Sequence, residues 1–175
     1  MCTTNPLQLH QFVSADIITA EGTNMHKLIS AVALFAFAST LAAQSPFAGT
    51  WKLDSSKTKY TTGEPPKDVT LVIEEQGDNL QVTASGTNAD GSPLSVKYTI
   101  PLKGGAGQIQ AGPYDAVSSK FVSANARENT FSKDGKQVSV RRSVVSKDAK
   151  MMRSTFKGKI ASGQAAAGTD VYEKQ

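Results

Sequence analysis

The sequence predicts an all-β fold, an antiparallel up-and-down (meander) β-barrel of about 8–10 strands that follows a cleaved N-terminal signal helix. From residue 50 onward, short runs rich in Val, Thr, Ile, Tyr and Phe alternate with Gly, Asp, Asn and Pro, which is the pattern of strands and turns. The links have hairpin length, so successive strands pair as a meander. This many strands in one domain favour closure over two open edges, and an open sheet or a two-sheet sandwich is the alternative.

Residues 1–43 are predicted to lie outside the barrel. Residues 25–43 have a short basic start, an uncharged apolar run and small residues near a cleavage position at Ala43–Gln44, the three parts of a signal peptide. A retained membrane helix is the weaker alternative, because the apolar run is short for a hydrocarbon core of ~30 Å. Residues 1–24 lack Lys and Arg and precede a complete signal, which indicates an over-extended start or a disordered leader.

The residue after the cleavage position predicts export without an anchor. A bacterial lipoprotein places Cys directly after the small residues, whereas this chain has Gln44. We therefore expect residues 44–175 to be a free protein in the bacterial periplasm or outside the cell, with no stable membrane anchor.

Strands in the first half of the domain are marked by alternating apolar residues. Residues 50–53 form the first predicted strand, and the polar segment Ser55–Lys67 with its two adjacent prolines is predicted to be a loop. Three strands follow, joined by turns that include an Asp-Gly hairpin signal, and each places its apolar residues on one face. These residues are Val69, Leu71 and Ile73; Leu80, Val82 and Ala84; and Leu94, Val96, Tyr98, Ile100 and Leu102.

The second half of the domain begins with a Gly-rich segment, Lys103–Asp115, in which only a short strand at residues 108–110 is predicted. Hairpin turns at residues 132–136 and 147–150 then separate strands rich in β-branched residues. The predicted strands are residues 116–122, 126–131, 137–146, 151–159 and 169–175.

The composition of the domain excludes several kinds of chemistry. The chain's one Cys and two His, Cys2, His10 and His26, all precede residue 44. Without a thiol or an imidazole, the domain cannot use Cys-His or Ser-His-Asp catalysis, histidine-held haem or His/Cys zinc sites. We therefore expect no enzyme activity, no metal site and no cofactor. The basic residues are spread along the domain without aromatic interleaving, so nucleic-acid binding is not expected.

The first and last strands resemble those of a known superfamily. The stretch FAGTWKL at residues 47–53 resembles the opening strand of the calycins, the lipocalin and fatty-acid-binding-protein superfamily, in which a Gly-x-Trp triplet closes the barrel floor. The stretch DVYEKQ at residues 170–175 is similar to the closing strand of fatty-acid-binding proteins. Length and strand order also resemble a group of small exported bacterial proteins called lipocalin-like. The resemblance implies a barrel that contains a small ligand.

Two departures limit what the resemblance implies. Fatty-acid-binding proteins insert a helix-turn-helix lid after the first strand, but the segment Asp54–Asp68 is too short for two helices and contains two prolines. Those proteins also bind a carboxylate with an Arg-x-Tyr pair on the last strand. Here Tyr172 matches the tyrosine, but Asp170 stands at the arginine position, so we do not expect carboxylate binding by that device.

Five residues are candidates for ligand binding: Tyr98, Arg142, Met152, Phe156 and Tyr172. Arg142 alternates with valines in the strand 137–146, so strand parity places its guanidinium on the inner face, where a buried charge requires a partner. That partner is Trp51, a carboxylate or an anionic ligand, whereas a bulge in the strand would turn Arg142 outward. Packing in the core is the alternative role for the other four.

Trp51 and Arg153 are candidates for closing one end of the barrel. The resemblance implies that Trp51 packs over the barrel end with an arginine stacked on its indole ring, in preference to a role in lining a ligand site. Arg153, on the strand after Arg142, is the alternative stacking partner.

The leading functional hypothesis is non-catalytic binding of a small, apolar molecule, and the resemblance carries it. The first alternative is a structural or protein-interaction barrel whose interior is filled by its own side chains. A lipocalin-like enzyme is the least favoured, because the domain lacks His and Cys. The volume of the interior distinguishes the first two hypotheses.

Overall fold

The computed structural model describes residues 44–175, which contain β-strands, turns and loops and no helix. The predictions for residues 1–24 and for the signal peptide 25–43 lie outside the described residues. Within residues 44–175, no helix is long and apolar enough to cross a membrane.

Twelve β-strands make up this part of the chain, and most follow one another through short hairpins. Their bounds are β1 Gly49–Leu53, β2 Lys59–Thr62, β3 Asp68–Gln76, β4 Asn79–Thr87, β5 Pro93–Pro101, β6 Gly105–Ala106, β7 Gln108–Ala111, β8 Ala116–Ser123, β9 Ala126–Lys133, β10 Lys136–Val145, β11 Met151–Lys159 and β12 Ala165–Lys174.

All twelve strands belong to one antiparallel sheet. The hairpin neighbours β3, β4 and β5 form one side, and β8 to β12 form the other. β1 joins the two sides, because it pairs with β12 on one edge and with β3 on the other. β2 pairs with the first half of β12, beside the half that β1 covers.

The two remaining edges of the sheet, β5 and β8, meet through the short strands β6 and β7. β7 pairs with β5 and β6 pairs with β8, while the Gly107 amide between them donates a 2.8 Å hydrogen bond to the Val117 carbonyl. The sheet is therefore a near-closed barrel, which confirms the predicted all-β antiparallel fold, although it has twelve strands and not the 8–10 that were predicted.

The predicted polar loop Ser55–Lys67 contains a strand, which corrects that part of the prediction. β2, with the sequence KYTT, has one half-buried residue, Tyr60, among exposed ones. β2 is held chiefly by backbone pairing to β12. Its sequence therefore does not need the apolar alternation that marks the other strands.

One end of the barrel is packed with large side chains, and we call it the closed end. It carries the β3–β4, β8–β9 and β10–β11 hairpins and the segment before β1. Trp51, Leu80, Ile100, Val145 and Met152 are fully buried there. Arg127 is also buried at this end, where it donates hydrogen bonds to the Pro101 and Leu102 carbonyls and lies over the Phe47 ring.

The opposite end, which we call the mouth, is built from loops rather than packed side chains. It carries the β4–β5 and β11–β12 loops, residues 88–92 and 160–164, together with the segments before β3 and β8. The Tyr114 hydroxyl reaches across it and donates a 2.9 Å hydrogen bond to the Lys159 carbonyl at the end of β11.

Candidate functional site

The barrel interior contains a cavity that extends from the closed end to the mouth loops. The space open to the centre of a water molecule is about 130 Å³, room for on the order of ten waters. Its aliphatic lining comes mostly from β3 to β5, whereas β9 to β12 contribute polar side chains interleaved with Phe131, Met152 and Tyr172. The cavity is therefore lined unequally, with an apolar wall on one side and a polar wall on the other.

The apolar wall comes from β3, β4 and β5, whose residues at the cavity are aliphatic side chains and the Tyr98 ring. It borders the cavity with Val69, Leu71, Val82, Ala84, Leu94 and Val96. Strict alternation along these strands sends every second side chain inward, so this wall follows directly from the sequence pattern.

The polar wall comes from β9 to β12 and consists of Asn129, Ser139, Arg141, Ser143, Ser154 and Asp170. Strand register places Asn129 directly opposite Arg141, and Ser154 directly opposite Asp170. The Ser143 and Ser154 hydroxyl oxygens lie 2.6 Å apart and share a hydrogen bond. Polar side chains thus extend across four neighbouring strands on the inner face of the sheet.

An ion pair between Arg141 and Asp170 is the centre of the polar wall. The Arg141 Nη1 donates to Asp170 Oδ2 at 2.7 Å, with the carboxylate side chain 3% exposed and the arginine side chain 25% exposed. Burial alone would lower the pKa of Arg141, but the Asp170 carboxylate and the Tyr172 and Tyr60 phenols raise it overall. The guanidinium therefore stays charged, and its face rests on the Phe156 ring at 4.6 Å.

Two buried polar atoms of this wall have no hydrogen-bond partner among the described residues. They are the Asp170 Oδ1 and the Asn129 Oδ1. The Asn129 amide nitrogen makes only a long 3.5 Å contact to the Tyr98 hydroxyl, and the Tyr172 hydroxyl lies 3.4 Å from the other Asp170 oxygen. Buried polar groups are nearly always paired in native proteins, so these two atoms mark a place where a ligand or water can bind.

Four tyrosine hydroxyls, those of Tyr60, Tyr98, Tyr114 and Tyr172, surround the cavity. Burial raises the pKa of each of these phenols, and the nearby Asp170 carboxylate raises the pKa of Tyr60 and Tyr172 further. At neutral pH they are therefore protonated and act as hydrogen-bond donors, not as bases.

The candidate Arg142 is exposed, so the prediction that it faces the interior is wrong. The residues of β10 that face inward are Ser139, Arg141, Ser143 and Val145. The pairing with β9 shifts between Gln137 and Ser139, so Val138 forms a bulge that reverses the alternation for the rest of the strand. The bulge turns Arg142 outward and its neighbour Arg141 inward.

The Gly-Thr-Trp triplet lies at the closed end, but the cation stacked on Trp51 is not the predicted arginine. Trp51 is fully buried, and its indole nitrogen donates a 2.8 Å hydrogen bond to the Phe47 carbonyl. The cation over its ring, at 5.1 Å, is Lys174, whereas Arg153 is exposed. Gly49 leaves room for this lysine, because a Cβ at that position would lie 2.5 Å from Lys174 Cε.

The remaining candidates are buried, and three of them, Tyr98, Met152 and Tyr172, border the cavity. Phe156 lies beneath the Arg141 guanidinium and packs edge-on against the Tyr60 ring at 5.0 Å. The sequence alone missed Arg141, Asn129 and Tyr60 as site residues. The only signal for Arg141 was its position next to Arg142, because a one-residue bulge exchanges which of two adjacent residues faces inward.

Among the described residues, no group of three or more His, Cys, Asp or Glu side chains is placed to hold a metal ion.

Comparison with solved structures finds similar chains among the apocrustacyanins. Lobster apocrustacyanin A1 has a TM-score of 0.41 and 12% sequence identity to this chain, with 76% of this chain and 63% of that chain covered. Apocrustacyanins C1 and C2 each have a TM-score of 0.41 and 12% identity, with 79% of this chain and 66% of theirs covered. This chain therefore spans slightly less than two thirds of the length of those chains. No protein-family model and no curated protein matches the sequence.

Proposed function

We propose that this protein is an exported, lipocalin-like barrel that binds a small molecule with a mainly apolar body and does not transform it. The observation that carries the proposal is the cavity between the apolar and polar walls. A barrel filled by its own side chains, the alternative hypothesis, would leave no such space. Leu71, Ala84 and Leu94 are only partly buried on the inner surface, so apolar area there is still available for a ligand.

The non-catalytic part of the proposal rests on the chemistry of the walls. Residues 44–175 contain no His and no Cys. The phenols around the cavity have raised pKa values, and the Asp170 carboxylate is held in an ion pair. The polar wall can therefore orient a ligand through hydrogen bonds, and it offers no thiol, no imidazole and no readily ionised phenol for catalysis.

The proposals that the protein is lipocalin-like and that it is exported rest on the sequence. The Gly-Thr-Trp triplet resembles the calycin opening strand, and its Trp51 is buried at the closed end, the position that the resemblance implies. Residues 25–43 have the composition of a signal peptide, which supports a periplasmic or secreted location.

Two measurements test the binding function. Native mass spectrometry of the protein purified from its own compartment is expected to show a co-purifying small molecule, and an environment-sensitive apolar dye is expected to bind the emptied barrel. In the variant Ala84→Phe a ring fills the space beside the apolar wall, so dye affinity should fall by about tenfold or more. Ala116→Phe places the same ring on an exposed position of β8 and should bind the dye like the parent protein. A protein that is empty and also rejects the dye would contradict the proposal.

A further inference from the structure

We propose that the ligand has a neutral polar head that presents a hydrogen-bond donor beside an acceptor, with a primary amide as the simplest example. The inference rests on the proposed function, since it describes the part of the same ligand that meets the polar wall. Three features of the wall carry it: its charge balance, the unpaired carboxylate oxygen of Asp170 and the unused donors of Arg141.

The charge balance of the cavity disfavours an ionised ligand. Arg141 and Asp170 form a pair with no net charge in the interior. Arg127, another cation that borders the cavity, already donates to two carbonyls at the closed end. Glu64 and Asp90 border the cavity from the mouth loops, but both are exposed, so water screens their charges from the ion pair. A carboxylate or an ammonium beside the ion pair would therefore introduce an uncompensated charge into a desolvated site, which is costly.

The unpaired acceptor requires a donor from the ligand. Asp170 is almost fully buried, and its Oδ1 has no partner among the described residues. An unmade hydrogen bond to a buried charged group carries a large desolvation penalty, so a ligand N–H or O–H at this oxygen gains more than an ordinary contact.

Arg141 supplies the complementary donors. Its one hydrogen bond to another described residue uses Nη1, and its side chain is a quarter exposed on the inner face of β10. A guanidinium carries several N–H groups in a fixed fork, so others remain for a ligand acceptor. A primary amide has its N–H and C=O on adjacent atoms, which matches an acceptor and a donor held side by side by the 2.7 Å ion pair. The body of the ligand then lies against the apolar wall.

A matched series of aromatic probes tests the inference: benzamide, benzoate, benzylamine and toluene, measured by calorimetry on the purified protein. The four share one ring and differ only in the head group, and all are small enough for a cavity of about 130 Å³. We expect benzamide to bind at least about tenfold more tightly than each of the others. If benzoate or benzylamine binds as tightly as benzamide, the argument from charge balance is wrong.

The series also separates this inference from the proposed function. Toluene binding as tightly as benzamide would mean that the polar wall contributes nothing, so the inference would fail while the container function stood. If none of the four probes and no apolar dye binds, the proposed function itself is wrong.

The variant Asp170→Asn sharpens the test, because it removes the negative charge and keeps the shape of the side chain. With Arg141 left as an uncompensated cation, the preference should reverse in favour of benzoate over benzamide by about tenfold. Asp78→Asn makes the same substitution at an exposed position near the closed end and should keep the parental order. If the folded Asp170→Asn protein binds the probes in the same order of affinity as the parent protein, the inference is wrong. If that variant does not fold, the four affinities of the parent protein decide the question.

Discussion

Arg141 and Asp170 depend on each other, because either charge without the other would stay desolvated and uncompensated in the barrel interior. The 2.7 Å hydrogen bond and the Phe156 ring beneath the guanidinium replace only part of the water that the two groups lost on folding. A pair of this kind contributes less to net stability than its strength suggests, because desolvation offsets the attraction. Removing one partner has a larger effect, since the other charge then stays buried and unpaired.

Substitution of Arg141 should therefore destabilise the protein much more than substitution of the adjacent Arg142. We expect Arg141→Met to lower the free energy of unfolding by about 3 kcal/mol, the lower end of the range for broken buried pairs, because the side chain is a quarter exposed. Arg142→Met, the matched control on the exposed face of β10, should change it by less than about 0.5 kcal/mol. Urea unfolding measures both values.

A double variant distinguishes the charge effect from lost packing. Arg141→Met combined with Asp170→Leu removes both charges, and it should recover most of the stability lost in Arg141→Met. Equal losses in the Arg141 and Arg142 single variants would show that the ion pair is not buried as described.

The residues whose burial could be predicted from the sequence are those whose orientation follows from residue type and alternation. Tyr98 is inward on a strictly alternating strand, and Trp51 is buried at the closed end. Arg142 is misplaced by the same reasoning, because the valines that alternate with it indicate an inner face. Valine favours strands on either face, and the inner face of β10 is polar, so residue type points in the wrong direction there.

At the scale of the strand, the bulge at Val138 determines which arginine enters the barrel. The Gln137–Ser132 and Ser139–Phe131 pairs are separated by two residues on β10 and by one on β9. Opposite the bulge, β11 carries Gly158 with a φ of +132°, where a Cβ would overlap the Val138 carbonyl oxygen. The glycine thus makes room for the bulge, and the bulge sets the parity of every residue beyond it.

Gly158→Ala should therefore disturb the strand far more than an alanine at a turn glycine. We expect a loss of at least about 3 kcal/mol in the free energy of unfolding, from a disfavoured backbone conformation and overlap with the neighbouring strand. The control is Gly135→Ala in the β9–β10 turn, which should cost about 1–2 kcal/mol, because φ there is +70° and an added Cβ would meet no atom within 4 Å. Similar losses for the two variants, measured by urea unfolding, would contradict the role given to Gly158.

The strands themselves were predictable to different degrees for a physical reason. β3, β4 and β5 face an apolar wall, so alternation showed both their positions and their inner faces. β2 and β6 pair through their backbones and bury almost no apolar side chain, so residue type left little signal. The polar wall was the least predictable part, because its inward residues Ser139, Arg141 and Ser143 resemble a solvent-facing pattern.

At the scale of the whole molecule, the barrel combines a packed closed end with an unevenly lined cavity. The closed end supplies the apolar burial that stabilises the fold, through Trp51, Leu80, Ile100 and Met152. The cavity beyond these residues can therefore be lined by polar groups whose net contribution to stability is small. This division lets one sheet serve as both core and container, and it places all four tyrosines of the chain beside the cavity.

These tyrosines make the stability of the whole barrel sensitive to alkaline pH. Each phenol has a pKa above the ordinary value of about 10 in the folded protein, first because of burial, so the unfolded chain releases protons that the folded chain retains. Their stabilising effect is complete below about pH 10 and is lost as pH rises further, by about 1.4 kcal/mol per pH unit for each phenol. We expect the ultraviolet absorbance of tyrosinate to appear only together with the loss of β-sheet circular dichroism. In Tyr98→Phe, the loss of unfolding free energy per pH unit above pH 10 should be smaller by about 1.4 kcal/mol, the share of one phenol. Tyrosinate that forms near pH 10 while the circular dichroism is unchanged would contradict the burial of these side chains.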